Sequence, residues 1–269
     1  MTAMLQRRRA AHAVTGVVLM ALWAAVGIGG LILLVMTLTG GNLATYAPRI
    51  GRGFLITVWL VVASALIGAV LSVPVAAGRL SGNPVAGALA YAYSYFFRGT
   101  PLIAQIFLIY YGAGQFAPQL KAWGLWWFFQ DAFRCAILSF SLNTAAYQAE
   151  ILAGALRALP RGQREAGAAL GLHGWQVLVK ILLPQALVSA LRPYGNEIIL
   201  LIKASALAST ITVLDLMGQT RFAFARTFDF SFYLWAAVLY LLMVEGLTSV
   251  VHTLEKRLTR HIRSPAMHR

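Results

Sequence analysis

About six apolar runs, each long enough to cross hydrocarbon, set the terms on which this chain can fold. They fall near residues 14–38, 54–77, 85–112, 132–155, 181–202 and 232–254. A helix needs about 20 apolar residues to span a bilayer, and a helix satisfies its own backbone where no water can. The pattern predicts an all-α integral membrane protein of about six spans, with no room for a large soluble domain. Composition agrees, since hydrophobic residues make up 59% of the chain and charged ones 11%, well outside the range of water-soluble domains.

The first run follows Arg7-Arg8-Arg9 and exceeds the 7–15 residues of an ordinary signal core, so it reads as a retained span. A polar, glycine-rich stretch at 39–52 reads as an external loop, 78–84 as a compact turn, and 112–121 as a second loop. Trp123, Trp126, Trp127, Phe128 and Phe129 form an expected interfacial belt. Within the third run Arg98-Gly99-Thr100-Pro101 predicts a bent or broken helix, and residues 204–229 are mixed in character.

The net charge of +14 is distributed in the links rather than gathered on one face, which argues for orientation and against nucleic acid as partner. Arg7, Arg8, Arg9, Arg79, Arg157, Arg161, Arg164, Lys180, Lys256, Arg257, Arg260, Arg263 and Arg269 fall on one side. Arg49, Arg52, Lys121, Arg221 and Arg226 fall on the other. The positive-inside rule then places both termini in the cytoplasm. One cysteine, Cys135, excludes an internal disulfide, and five scattered histidines have no metal-ligand spacing.

One cytoplasmic link has an internal grammar. Pro160 suits a helix start, the helix is expected to run to about Leu170, and Gly171 is placed to close it in a left-handed C-cap before a second helix begins at Trp175. Glu165-Ala166-Gly167, then Gly171, then Ile181, Leu183 and Pro184, resemble the EAA loop of permease subunits of ATP-binding-cassette (ABC) importers, with Gly167 in place of the third small residue. The resemblance continues through Phe97-Arg98-Gly99-Thr100-Pro101-Leu102 with Gln105, Phe107, Tyr110 and Tyr111, through Leu142-Asn143-Thr144-Ala145-Ala146-Tyr147 with Glu150, and through Asn196-Glu197 and Leu207 to Leu216. These stretches are similar to polar amino-acid permeases, and Asn196-Glu197 with the Leu207 to Leu216 region resembles in particular those of the histidine, arginine, ornithine or opine type.

The resemblance implies a type I importer permease: five core spans at 54–258, an N-terminal basic segment, extra span and external loop at 1–53, and a basic tail at 259–269. It implies a bacterial cytoplasmic membrane location, an ABC ATPase dimer docked at Glu165, Ala166, Gly167 and Gly171, a second permease subunit, identical or different, and an external solute-binding protein. The cargo it implies is a polar, basic amino acid; a glutamate or glutamine type is the alternative. No Walker A pattern occurs, so ATP belongs to a partner, and the chain itself needs no cofactor and performs no covalent chemistry. An ion-coupled secondary transporter would show an internal repeat, and the two halves show none.

Polar groups inside spans are costly, so they mark a path or satisfy one another. Asn143, Tyr147, Glu150 and Gly154 share one face of a helix by their spacing, and Asn196 and Glu197 lie on the next long span. With Arg98 these are the candidate substrate path. The competing arrangement pairs Glu197 with Arg192 or Lys203, Glu150 with Arg98, and bonds Asn143 across a helix interface; Asp131 and Arg134 are expected to pair near the outer end.

Overall fold

The structure, a computed structural model, describes residues 41–259 continuously, preceded by helical positions at Gly27, Gly29, Gly30, Ile32 and Val35. Apart from those five positions, the expected first span and its arginines lie outside the described residues, as does the tail from 260. The described residues are helices and short links: α1 (Gly41–Leu80), α2 (Pro84–Gly99), α3 (Leu102–Gln115), α4 (Ala117–Ala122), α5 (Trp126–Phe129), α6 (Ala132–Ala158), α7 (Gly162–Ala169), α8 (Gly174–Ile211), α9 (Leu216–Thr227) and α10 (Ser231–Leu258).

Three of these, α1 from Leu43, α8 and α10, are long and apolar enough to cross a membrane. Helix α6 is the centre of the bundle instead. It buries 14 of its 27 residues, among them Ala136, Ala145, Ala146, Ala149 and Ala153, and small residues let helices approach where lipid offers no hydrophobic drive. Its polar groups are therefore enclosed by protein. Helix α1 runs parallel to it: Leu60 and Val61 share a cluster with Cys135, Ala136 and Phe140, and further along Ala76 shares one with Ala149, Leu152 and Ala153. A Cβ at Gly68 would collide with Thr144, so the two helices touch backbone to side chain there. Helices α2 and α3 make the return between them.

Helix α8 is antiparallel to α6, since Thr144 meets Glu197 and Gln148 meets Tyr194. It contains a π-helical turn over Leu178–Leu182, just before Pro184, and ends as a 3₁₀ segment over Ser205–Ile211. Helix α10 packs outside α8 and buries only Ser231, Phe232 and Ala236. Tyr240, Met243, Val244 and Leu247 pack partly against the core, while Leu241, Leu242, Val250 and Leu254 are exposed.

Three loop expectations are corrected. Residues 41–52 belong to α1, because Ile50 is buried with Leu216, Ala223 and Phe232 and Tyr46 meets Phe232 edge-on at 5.5 Å; the boundary expected at 53/54 thus falls inside a helix. The turn at 78–84 shrinks to Ser81, Gly82 and Asn83, with Asn83 Oδ1 accepting from Val85 and Ala86 N–H as the cap of α2. The loop at 112–121 is mostly helical, with Leu120 buried. At 41–52 and 112–121 an inward apolar residue outweighs a polar average, and at 78–84 a side-chain cap shortens the turn.

Candidate functional site

The break between α2 and α3 shows why polar residues gather in the middle of the bundle. Pro101 has no N–H, so the carbonyl of Phe97 four residues earlier loses its helical donor. Two side chains replace it: Gln105 Nε2 donates to Phe97 O at 2.9 Å and Asn143 Nδ2 donates to it at 2.8 Å. Gln105 also donates to Thr100 Oγ1 at 2.7 Å, and its own Oε1 accepts from Asn143 at 3.1 Å. Asn143 is buried. It bonds across a helix interface and holds the break between α2 and α3.

Below it, a polar file crosses three helices. Thr144 Oγ1 donates to Glu197 at 2.9 Å, Gln148 Nε2 donates to Thr144 Oγ1 at 3.2 Å and to Ala65 O at 3.2 Å, and Tyr194 O–H donates to Gln148 O at 3.3 Å. Glu197 is 7% exposed. It pairs with neither Arg192 nor Lys203, because α8 turns it toward α6 while Arg192 points outward and donates to Glu255 at 2.8 Å. The Arg98 guanidinium lies 5.2 Å from the centre of the Tyr147 ring, in cation–π range, and Tyr147 O–H reaches Arg98 O at 3.5 Å. A buried carboxylate bonded to Thr144 and an exposed guanidinium packed on Tyr147 are thus held against the same helix, an acceptor and a donor for groups of opposite charge.

The other candidates are placed apart from this group. Glu150 binds Arg79 Nε at 2.6 Å, not Arg98, since α1 and α6 run parallel and carry both residues to the same end. Asn196 is exposed and faces α10, in a groove with Thr248, His252 and Glu255, because adjacent helical positions point about 100° apart. Asp131 does not pair with the Arg134 side chain: its Oδ1 accepts the Arg134 backbone N–H as the cap of α6, and the guanidinium donates to Trp127 O and covers the Trp127 ring. Thr144, Gln148 and Gln105 were not among the expected site residues. Thr144 and Gln148 are four apart and so share a face of α6, a signal open to a sequence reading.

At the far end, α7 closes as its composition predicts. Gly171 has φ +72°, its N–H donates to Ala168 O at 2.9 Å, and Leu172 N–H donates to Gly167 O at 3.1 Å, the paired bonds of a Schellman motif. Pro160 lies two residues before α7 and accepts from Gln163 N–H. Gln176 Oε1 accepts from His173 N–H and starts α8. Gly167 is buried against Val177, whereas Glu165 and Ala166 are exposed, as are Leu170 and Trp175 at 79% and 73%. The elbow is closely packed inside and presents apolar and acidic groups outside. Basic residues sort by end: Arg79, Arg157, Arg161 and Arg164 ring one cavity, while Arg49 and Arg226 flank Phe222, about 45 Å away along α1 at 1.5 Å per residue.

The chain as a whole is similar to known proteins. The nopaline transport system permease protein NocM of Agrobacterium fabrum is 40% identical over 81% of this chain and 90% of its own. The histidine/lysine/arginine/ornithine permease HisM of Escherichia coli is 39% identical over 80% and 91%, and the arginine permease ArtM of the same species 36% over 79% and 95%. A crystal structure of an amino acid ABC transporter with histidines matches at TM-score 0.70 and 29% identity, covering 80% of this chain and 96% of that one. The MetNI methionine ABC transporter in an inward-facing form shares the fold at TM-score 0.64 and 21% identity, over 78% and 96%. The family model described as the binding-protein-dependent transport system inner membrane component matches residues 68–264. That match covers well over half of the chain, and this protein belongs to that family as a membrane-embedded permease of the type I importer fold.

Proposed function

We propose that this chain forms part of the translocation path of an ATP-driven importer of basic amino acids in a bacterial cytoplasmic membrane. It would act with an ABC ATPase dimer, a second permease subunit and an external solute-binding protein. The observation that carries the reading is mechanical. The α7 elbow lies between α6 and α8, and those two helices supply Tyr147, Thr144 and Glu197 of the polar file. A displacement of Glu165, Ala166, Gly167 and Gly171 by a docked ATPase would reach the file through two helices that are hydrogen-bonded to each other.

The substrate class rests on Glu197 and on the relatives, whose names specify nopaline, histidine, lysine, arginine and ornithine. Glu197 accepts a neutral hydroxyl and pairs with no cation in a salt bridge among the described residues. When the path opens it is free to take an ammonium or guanidinium, while Arg98 takes the substrate carboxylate. Transport by the reconstituted complex at fixed binding-protein occupancy tests this. Glu197→Gln should lose the preference for arginine over glutamine; arginine transport retained in the variant, with a native preference for glutamine, would refute the basic-substrate reading.

A further inference from the structure

Two cavities meet where α1 and α6 end and α8 begins. One, of about 570 Å³, is walled by apolar groups including Val73, Ala77, Leu152, Leu172 and Trp175. The other, of about 450 Å³, is ringed by Arg79, Arg157, Arg161 and Arg164. Both are lined by Leu80, Leu156 and Arg164, so they form one apolar slot with a basic rim. Val73 is 57% exposed and Trp175 73%, which opens the slot at the surface.

The rim's charge is not consumed among the described residues. Arg79 is taken by Glu150, but Arg157 donates only to the neutral carbonyl of Arg79, and no carboxylate among the described residues forms a salt bridge with Arg157, Arg161 or Arg164. Orientation alone accounts for arginines at this membrane face. It does not account for an apolar slot directly beneath them.

We propose that this slot binds one anionic phospholipid of the cytoplasmic leaflet. An acyl chain would lie against Val73, Leu152 and Leu172, and the phosphate would sit among Arg157, Arg161 and Arg164, whose guanidinium forks match phosphate oxygens. Two of those arginines are on or beside α7, so an occupied slot braces the elbow.

Trp175 at the mouth supplies the readout. The complete complex is placed in phosphatidylcholine nanodiscs with graded phosphatidylglycerol, one lipid or the other carrying brominated chains that quench nearby indoles. Subtracting the Trp175→Phe signal isolates this residue. Each arginine near an anionic headgroup contributes about a fivefold preference, so native Trp175 should be quenched at far lower fractions of brominated phosphatidylglycerol than of brominated phosphatidylcholine. Arg161→Gln/Arg164→Gln should reduce that preference about thirtyfold, and Arg161→Lys/Arg164→Lys should keep most of it. Equal quenching by the two lipids, or an unchanged preference in the glutamine variant, overturns the proposal. If that variant instead keeps its lipid preference but no longer co-purifies with the ATPase, the arginines serve that protein contact and the lipid site is refuted.

Discussion

Gly167→Ala isolates the contact on which the elbow is built. A Cβ at this position would stand 2.6 Å from Cγ2 and 3.2 Å from Cγ1 of Val177, a side chain 4% exposed. Valine has a stiff χ1 and cannot swing aside, so α7 must back away from α8 at the cost of overpacking, about 1–3 kcal/mol. Val177→Ala removes those two methyl groups, which alone costs about 1.6 kcal/mol at 0.8 per buried carbon, but it also clears the space. The double variant should therefore be no worse than Val177→Ala, giving a coupling energy of about 1–3 kcal/mol in a double-mutant cycle. Gly171→Ala is the control. Nothing lies within 4 Å of its added Cβ, and its penalty of about 1–2 kcal/mol comes from φ +72° alone. Val177→Ala should leave that penalty untouched. Amide hydrogen exchange at Gly171 and Leu172, whose N–H groups close the motif, reads local opening directly; 2 kcal/mol is about thirtyfold in rate. Transport per ATP hydrolysed gives the functional counterpart. The reasoning fails if Val177→Ala does not rescue Gly167→Ala, or if it rescues Gly171→Ala as well.

Arg79→Gln leaves Glu150 without its cation at a site about one fifth exposed, between the exposed and buried limits for an ion pair; a loss of about 2 kcal/mol in the thermal stability of the complex is expected, and restoration by Glu150→Gln in the same chain checks the pairing. Asn143→Leu strips one donor each from Phe97 O and Gln105 Oε1 and should cost about 1–2 kcal/mol at membrane hydrogen-bond strengths. A raised KM for substrate with unchanged stability would instead make Asn143 a ligand contact. Cysteine labelling should find the N-terminus inaccessible from outside the cell; external labelling would sink the six-span topology.

Local chemistry carried the elbow from sequence to structure. A left-handed residue after a short helix needs glycine, so Gly171 announces its own conformation, and the close of α7 followed from a few consecutive residues. The long helices were legible for the same reason, since apolar length is read without knowing neighbours. What failed were the ends. Residues 41–50 look polar on average, yet Tyr46 and Ile50 face inward onto Phe232, a partner about 180 residues away that no local pattern names.

The site divides along the same line. Asn196 and Glu197 are adjacent, but one faces α10 and the other α6, so their shared proximity in sequence says nothing about shared ligands. Glu150 and Arg79 meet only because α1 and α6 run parallel in one register, a fact of tertiary packing. The Phe97 carbonyl shows where the boundary falls. Pro101 four residues later makes the missing donor readable in the sequence, so a buried polar side chain had to arrive from somewhere. That it comes from Asn143 and Gln105 depends on how α6 rotates against α2. The need was local and its supply was not, because the side chains that meet it come from two helices whose relative rotation only the packed bundle sets.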